Sequence, residues 1–486
     1  MNPLKSLLGQ TAIYGLPTIV GRLLNYLLVP LYTNVFTDPA DYGVVSELYA
    51  WVAFLIVLLT FGMETSFFRF LNDKEDKEGV FRNSFLTVIG LNGVFLLCLL
   101  FFNQSIADAM LYSEHNEYII LLGIIVCIDA ISALPMAKLR AENKAVKFSM
   151  IHFTSIGVNI GLNLIFMLLI FDPARPEEGV LFILIANLIA SLVKPIGTYS
   201  DFIGLKWQYN KELAQEMFKY AFPLVIAGFA GIINETLDRA MLKHLLFNRG
   251  GMTLQAAEAQ LGIYSACYKL AMIVAIFLQA YRYAAEPFFF AQNKNKDRNK
   301  IYIRIMNYFV ASVCFVFLAV ALNIDIFKHF IRNEAYWAGL GVVPILLIAN
   351  VFLGIYYNQS IWYKLSGQTR FGAYIAIGGA AITVLINLIF IPLYGFWASA
   401  WATLIVYAVQ MVASYLLGQK YYPIKYNLRK FVLYFGLAVA LFLIAFIMNL
   451  DPGIFTVSKF IIHNLMIIFY VFVVWFIERA TLKTNG

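Results

Sequence analysis

Five cationic residues lie within or at the edges of long apolar stretches: Arg22, Lys194, Arg239, Lys269 and Arg282. An arginine deep in hydrocarbon costs at least ~2.5 kcal/mol on insertion scales, so it faces a partner or a water-filled cavity rather than lipid. At 1.5 Å of rise per residue, Arg22 lies ~17 Å into its stretch and Lys269 ~14 Å from the end of its own, which puts both near mid-membrane. Two cations at that depth suit an anionic ligand. The competing reading pairs Arg22 with Asp129, at similar depth in another stretch, and lets Lys269 run its stem along hydrocarbon toward the interface. Arg282 precedes Glu286 by one turn, the spacing of an i,i+4 ion pair, and its guanidinium also has the geometry to grip phosphate oxygens two at a time. Asn25, Asn159, Asn163 and Asn387 offer amides that hydrogen-bond either sugar hydroxyls or neighbouring helices. Tyr49 and Trp51 suit sugar stacking as well as an interfacial belt.

A second group joins Glu235, Asp238 and Arg239. Glu235 and Arg239 pair at i,i+4, which leaves Asp238 to hold a coupling Na⁺ or proton, or to cap a neighbouring helix. Lys194, followed by Pro195, is expected to snorkel to the cytoplasmic surface, and Glu64 to meet Arg69 or water. There is no HExxH, no GxGxxG and no P-loop lysine motif, and the five His (115, 152, 244, 329 and 463) lack ligand spacing. We therefore expect no catalytic residue, no metal site and no bound cofactor, and any energy used is drawn from gradients.

The elements that position these residues follow from composition. With 61% hydrophobic and 13% charged residues in 486, the chain is too apolar for a soluble protein. The net charge of +8 is explained by Lys and Arg in cytoplasmic loops rather than by nucleic acid. Cys98, Cys127, Cys267 and Cys314 all fall in apolar runs and are silent on redox compartment. The N-terminal run is too long for a signal peptide and is kept as a helix.

Counting about 20 apolar residues per crossing gives fourteen spans. They lie near 11–36, 44–68, 83–102, 118–137, 148–170, 179–200, 220–242, 260–284, 305–327, 337–362, 371–391, 395–417, 431–449 and 459–478. The weakest division is at 391–395, where only Pro392 and Gly395 interrupt the apolar run. With the N-terminus inside, Arg175, Lys243, Arg249, Lys328, Arg332 and Lys459 fall outside, the five above are intramembrane, and the rest of the 36 Lys and Arg are cytoplasmic. Both termini are thus expected in the cytoplasm.

The chain also repeats itself. Tyr14-Gly15-Leu16-Pro17 is echoed by Tyr220-Ala221-Phe222-Pro223, and Gly43-Val44-Val45-Ser46 by Gly262-Ile263-Tyr264-Ser265. Asn163-Leu164-Ile165-Phe166 returns as Asn387-Leu388-Ile389-Phe390. Six spans per unit is even, so the expectation is an all-α integral membrane protein of two parallel six-helix repeats with a midplane site between them. The lobes are set at 1–200 and 220–417, joined by a cytoplasmic linker at 201–219, with two added helices and a tail at 418–486.

Asp41-Tyr42-Gly43, Gly62-Met63-Glu64, Phe68-Arg69-Phe70, Asp238-Arg239 and Leu261-Gly262-Ile263-Tyr264-Ser265-Ala266 with Lys269 resemble the polysaccharide transporter branch of the multidrug/oligosaccharidyl-lipid/polysaccharide exporter superfamily. The resemblance spans nearly the whole chain. It implies alternating access and the flipping of an undecaprenyl-pyrophosphate-linked oligosaccharide across the bacterial cytoplasmic membrane. It also implies a role in surface polysaccharide assembly, such as O-antigen of lipopolysaccharide, beside polysaccharide assembly proteins. Arg22, Lys269 and Arg282, with Asn25 beside the first, are the contacts it suggests for the lipid-linked substrate. Asp129, Glu235, Asp238 and Arg239 remain for coupling or charge pairing. Two rivals stand: a cation-coupled exporter of cationic drugs from the same superfamily, which needs a buried carboxylate, and a membrane glycosyltransferase or ligase, which needs a long external or acidic catalytic loop.

Overall fold

The computed structural model describes residues 20, 21, 23–201, 203, 208–292, 295–448 and 456–484. Within these, helices account for the regular structure and no strand occurs. The helices are α1 (Leu28–Val35), α2 (Pro39–Thr60), α3 (Met63–Asp73), α4 (Lys77–Ala109), α5 (Asn116–Ala141), α6 (Ala145–Ile165), α7 (Pro176–Gly197) and α8 (Lys211–Asn248). They continue with α9 (Leu254–Gln292), α10 (Arg298–Leu322), α11 (Val342–Gln359), α12 (Ile361–Leu365), α13 (Arg370–Tyr394), α14 (Phe396–Tyr421), α15 (Leu428–Ile447) and α16 (Val457–Thr484). Thirteen stretches of described helix are long and apolar enough to cross a membrane, and they coincide with the second to fourteenth expected spans. Of the first span, 11–36, residues 11–19 and 22 lie outside the described residues.

These helices are apolar all round because their outward surfaces meet lipid rather than water. Phe101, Leu169 and Ile447 are 82%, 79% and 76% exposed, values that a soluble protein rarely tolerates for so many large side chains. This is a multi-pass membrane protein. Local signals set the breaks. Asp38 accepts from Ala40 N–H at 2.9 Å and Pro39 opens α2, a capped start. Phe61 and Gly62 adopt left-handed φ of 47° and 64°, ending α2 and starting α3 at a new angle. Gly395 holds φ 59° and ψ −142°, a conformation essentially reserved for glycine, and it divides α13 from α14 where the sequence left the boundary weakest.

The chain folds as two compact units, Met1–Gly262 and Ile263–Gly486. The first is built on α2, α3, α4, α5 and the first turns of α8, whose Phe61, Met63, Phe67, Phe81, Phe85 and Met217 form one apolar cluster. In the second, α11 packs against α14 and α10, and α15 and α16 lie along α10. Compactness and internal repetition are different criteria, so the expected lobes at 1–200 and 220–417 are not the same division.

Two of the repeated tetrapeptides now have physical reasons, while Tyr14-Gly15-Leu16-Pro17 lies outside the described residues. Asn163 and Asn387 are both buried, and each donates Nδ2 to the carbonyl four residues earlier, Asn159 at 2.8 Å and Thr383 at 2.9 Å. Each then uses Oδ1 to accept from another helix: Asn163 from Tyr32 Oη at 2.8 Å, Asn387 from Ser399 Oγ at 3.2 Å. Gly43 and Gly262 face each other. A Cβ on Gly43 would stand 3.2 Å from Gly262 N and collide with the Glu258 carbonyl; one on Gly262 would stand 3.0 Å from Gly43 N and collide with the Pro39 carbonyl. Both positions need glycine because two backbones touch there.

Candidate functional site

In the first unit, charge sits on α5 and α7. Asp129, midway along α5, accepts from Lys194 Nζ at 2.7 Å. The two side chains are 26% and 23% exposed, so the pair is mostly withdrawn from solvent. This corrects the expectation that Lys194 snorkels to the cytoplasmic surface. Helical side chains lean toward the N-terminus, so a lysine in the last turn of α7 reaches back along the helix, to the depth of Asp129. His152 stands near both charges. Around them, Asn187 Nδ2 donates to Tyr49 Oη at 2.9 Å, and Asn159 Nδ2 donates to Asn25 Oδ1 at 3.3 Å. Asn25 is thereby tied to another amide in an exposed setting. Arg22 lies outside the described residues.

Two further expectations are adjusted, and a third falls outside the described residues. Arg239 directs Nη2 to the Glu235 main-chain carbonyl at 3.1 Å, and its Nε lies 3.9 Å from Asp238 Oδ1, so Asp238, not the exposed Glu235 carboxylate, is its charged neighbour. Consecutive residues on this α8 turn can do so because Asp238 folds back onto the Arg239 N–H at 2.8 Å. Glu64 pairs with Arg140 of α5 rather than Arg69, which lies 3.7 Å from Asp73 and over the Tyr220 ring. The Glu286 side chain, the expected partner of Arg282, lies outside the described residues.

In the second unit, Arg282 lies exposed on α9 with its guanidinium 4.1 Å from the centre of the Tyr357 ring. Stacking presents the flat face to the ring and leaves the N–H edge to meet a ligand. A small cavity opens beside it, about 20 Å³, lined by Tyr281, Arg282, Tyr357, Asn358, Ser360 and Lys364 together with Ala285, Phe289 and Ile361. Asn358 Nδ2 donates to Tyr281 Oη at 2.6 Å, which fixes two of the polar walls. Two cations and several hydroxyl or amide groups line it, with no carboxylate among the described residues. Lys364, on α12, was hidden in the sequence as one of many Lys at loop edges. Lys269 is half-buried on α9 and engaged with its surroundings. Thirteen residues of helix place it ~20 Å along the axis from Arg282 and ~140° around it, so one pyrophosphate does not touch both at once. Among the described residues no group of three or more His, Cys, Asp or Glu has metal-holding geometry.

Comparison with known proteins adds a family and a fold. The model of a family described as polysaccharide biosynthesis protein matches residues 7–292. A membrane protein of Haemophilus influenzae described only as such is 22% identical over 299 residues, covering 60% of this chain and 66% of its own length. Lipid II flippase MurJ in an inward closed conformation superposes with a TM-score of 0.72 at 14% identity, over 97% of this chain and 99% of that one. An inward-facing multidrug resistance MATE family transporter of the MOP superfamily gives 0.63 at 16% identity, over 84% and 94%.

Proposed function

Because the chain belongs to the polysaccharide biosynthesis protein family, we propose that it is a flippase carrying an undecaprenyl-pyrophosphate-linked oligosaccharide from the inner to the outer leaflet of the bacterial cytoplasmic membrane. The observation that carries this reading is the Arg282–Lys364 cavity: two cations, three hydroxyls and one amide, and no carboxylate among its described walls. That is the chemistry of a phosphate site. The cavity is lined by α9 between Tyr281 and Phe289, by the end of α11 and by α12, next in sequence to the loops expected to carry cytoplasmic Arg298, Lys300 and Arg370. A bias of Lys and Arg toward this side supports its facing the cytoplasm, where a lipid-linked sugar is assembled. A pyrophosphate diester carries about two negative charges, and outward movement with an inside-negative potential of 100 mV yields ~4 to 5 kcal/mol. No enzymatic step is required of the chain, and its partners on this reading are the lipid-linked sugar, the surrounding lipid and the polysaccharide assembly proteins that consume the product.

The drug-exporter reading is weakened by Asp129. A lipophilic cation needs a carboxylate of its own, and Lys194 already neutralises this one. The test is flipping of a lipid-linked oligosaccharide in proteoliposomes. Arg282→Ala and Lys364→Ala are each expected to slow it at least ~10-fold, the loss of one charge-assisted hydrogen bond of ~1.5 to 3 kcal/mol. Full rates in both would remove this cavity from the pathway.

A further inference from the structure

Away from that cavity, the first unit buries a second charged cluster where α2 and α9 begin and α4 and α8 end. Glu47 of α2 and Lys243 of α8 are fully buried and bonded at 2.6 Å. Glu47 also accepts from Tyr112 Oη at 2.6 Å and lies 2.9 Å from His244 Nε2. Since a carboxylate only accepts, His244 carries a proton on Nε2 in either charge state. Lys243 sits 3.6 Å from the Tyr112 ring centre and donates to the Met110 carbonyl at 2.8 Å. Glu47 is thus supplied with three donors. Glu258 of α9 is the second carboxylate on the same lysine, at 3.8 Å, beyond hydrogen-bonding range.

Charge counting makes Glu258 the odd member. One lysine balances one glutamate, and Lys243 is within hydrogen-bonding range of Glu47 but not of Glu258. The groups facing Glu258 sharpen this: Asp38 just before α2, Asp41 and Glu47 on it, Lys243 on α8 with His244 beside Glu47, Tyr112 on the 110–115 connection, and Tyr118 on α5 with Glu117 and Glu177 nearby. Acids outnumber bases on that list. Glu258 is 13% exposed, so protons reach it, whereas the Glu47–Lys243 pair is sealed. The same turn of α9 touches α2 through Gly262 and Gly43, and Gln255 Nε2 donates to Asp38 Oδ2 at 2.7 Å. With two backbones in contact, this closure has no slack to loosen gradually.

We infer that Glu258 is a proton-binding site within a latch joining the first turns of α2 and α9, so that the closed latch binds one proton more than the opened one. The inference rests on the transport reading for the opening motion but not on the identity of the cargo. Protonation removes the surplus charge and its repulsion from Glu47 and Asp41. The stabilisation of the closed form is therefore complete below the opened form's pKa and is lost as pH rises through that of the closed form. Between the two, the ratio of closed to opened molecules falls about tenfold per pH unit.

The experiment is double electron–electron resonance on the full chain, with Cys98, the exposed native cysteine, replaced by Ser and nitroxides at Ser113→Cys and Ala256→Cys. The short distance is expected to dominate at low pH and yield to a longer one as pH rises. Glu258→Gln is expected to hold the short distance at every pH, Glu258→Asp to restore the pH response, and His244→Gln to keep it. A distance distribution in the parent chain that ignores pH from 5 to 9 overturns the inference. A response that survives Glu258→Gln but vanishes in His244→Gln overturns the assignment to Glu258. Flipping of lipid-linked oligosaccharide, measured separately, reports on the cargo: a pH-driven latch in a chain that flips none leaves the latch standing and removes the cargo.

Discussion

Replacing Lys194 with methionine leaves Asp129 without its cation midway along α5. At 2.7 Å and an effective dielectric near ~20, the gross attraction of the pair is ~6 kcal/mol. Desolvation cancels much of that, and side chains about a quarter exposed fall between surface pairs, below ~1 kcal/mol, and buried pairs, whose breakage costs about 3 to 5. We therefore expect Lys194→Met to cost about 2 kcal/mol. Asp129→Asn is expected to cost less, because a lysine in the last turn of α7 can swing back to the interface. The double variant should then recover most of the loss. The assay is a double-mutant cycle on thermal or denaturant unfolding in detergent, read as a coupling energy of at least ~1.5 kcal/mol. Additivity within ~0.5 kcal/mol would refute the argument that this pair, rather than either charge alone, is what the first unit keeps.

Further outcomes follow from single contacts. Gly262→Ala puts a methyl into the Pro39 carbonyl and is expected to force α9 from α2 by roughly 1 Å, costing roughly 1 to 3 kcal/mol, measured as a lower unfolding midpoint; a parent-like midpoint would contradict the close approach. Tyr112→Phe removes a hydrogen bond to a buried carboxylate and is expected to cost ~1.5 to 3 kcal/mol. Burial and Glu47 hold the Tyr112 hydroxyl well above the usual tyrosine range, so its contribution persists below about pH 10 and is lost as pH rises through the folded-state value. Alkaline unfolding of the Phe variant should accordingly be less steep than that of the parent. In the flipping assay, Arg282→Lys should recover only part of the Arg282→Ala loss, since an ammonium neither stacks on Tyr357 nor grips phosphate in pairs.

Much of the fold was legible because hydrocarbon enforces length and apolarity on every crossing: the positions of the thirteen described spans follow from hydropathy and Gly395 divides α13 from α14 as expected, whereas the helix ends and the break at Phe61–Gly62 inside the expected span 44–68 do not. The repeated Asn163 and Asn387 were visible as text, and their shared bond to the preceding turn explains why the text repeats. Charge partners were less legible. Helical periodicity gives neighbours along one helix, as in the Glu235–Arg239 and Glu64–Arg69 expectations, whereas the pairs that formed were Asp129–Lys194 and Glu64–Arg140, between helices whose register only packing sets. For a related reason Glu47 was not singled out and Lys243 counted only as a charge outside the membrane. Each reads as a charge near a helix end, where water is the default partner, and nothing local announces that Tyr112, Met110 and Glu258 close over them.

The central claim is that the cargo is an anionic lipid-linked oligosaccharide. Mass spectrometry of lipid co-purifying with the full chain tests it most directly. The account predicts a polyprenyl pyrophosphate bearing sugars, depleted when Arg282 and Lys364 are both replaced by alanine. A bound lipophilic cation, or a neutral glycolipid retained equally by the double variant, would contradict it.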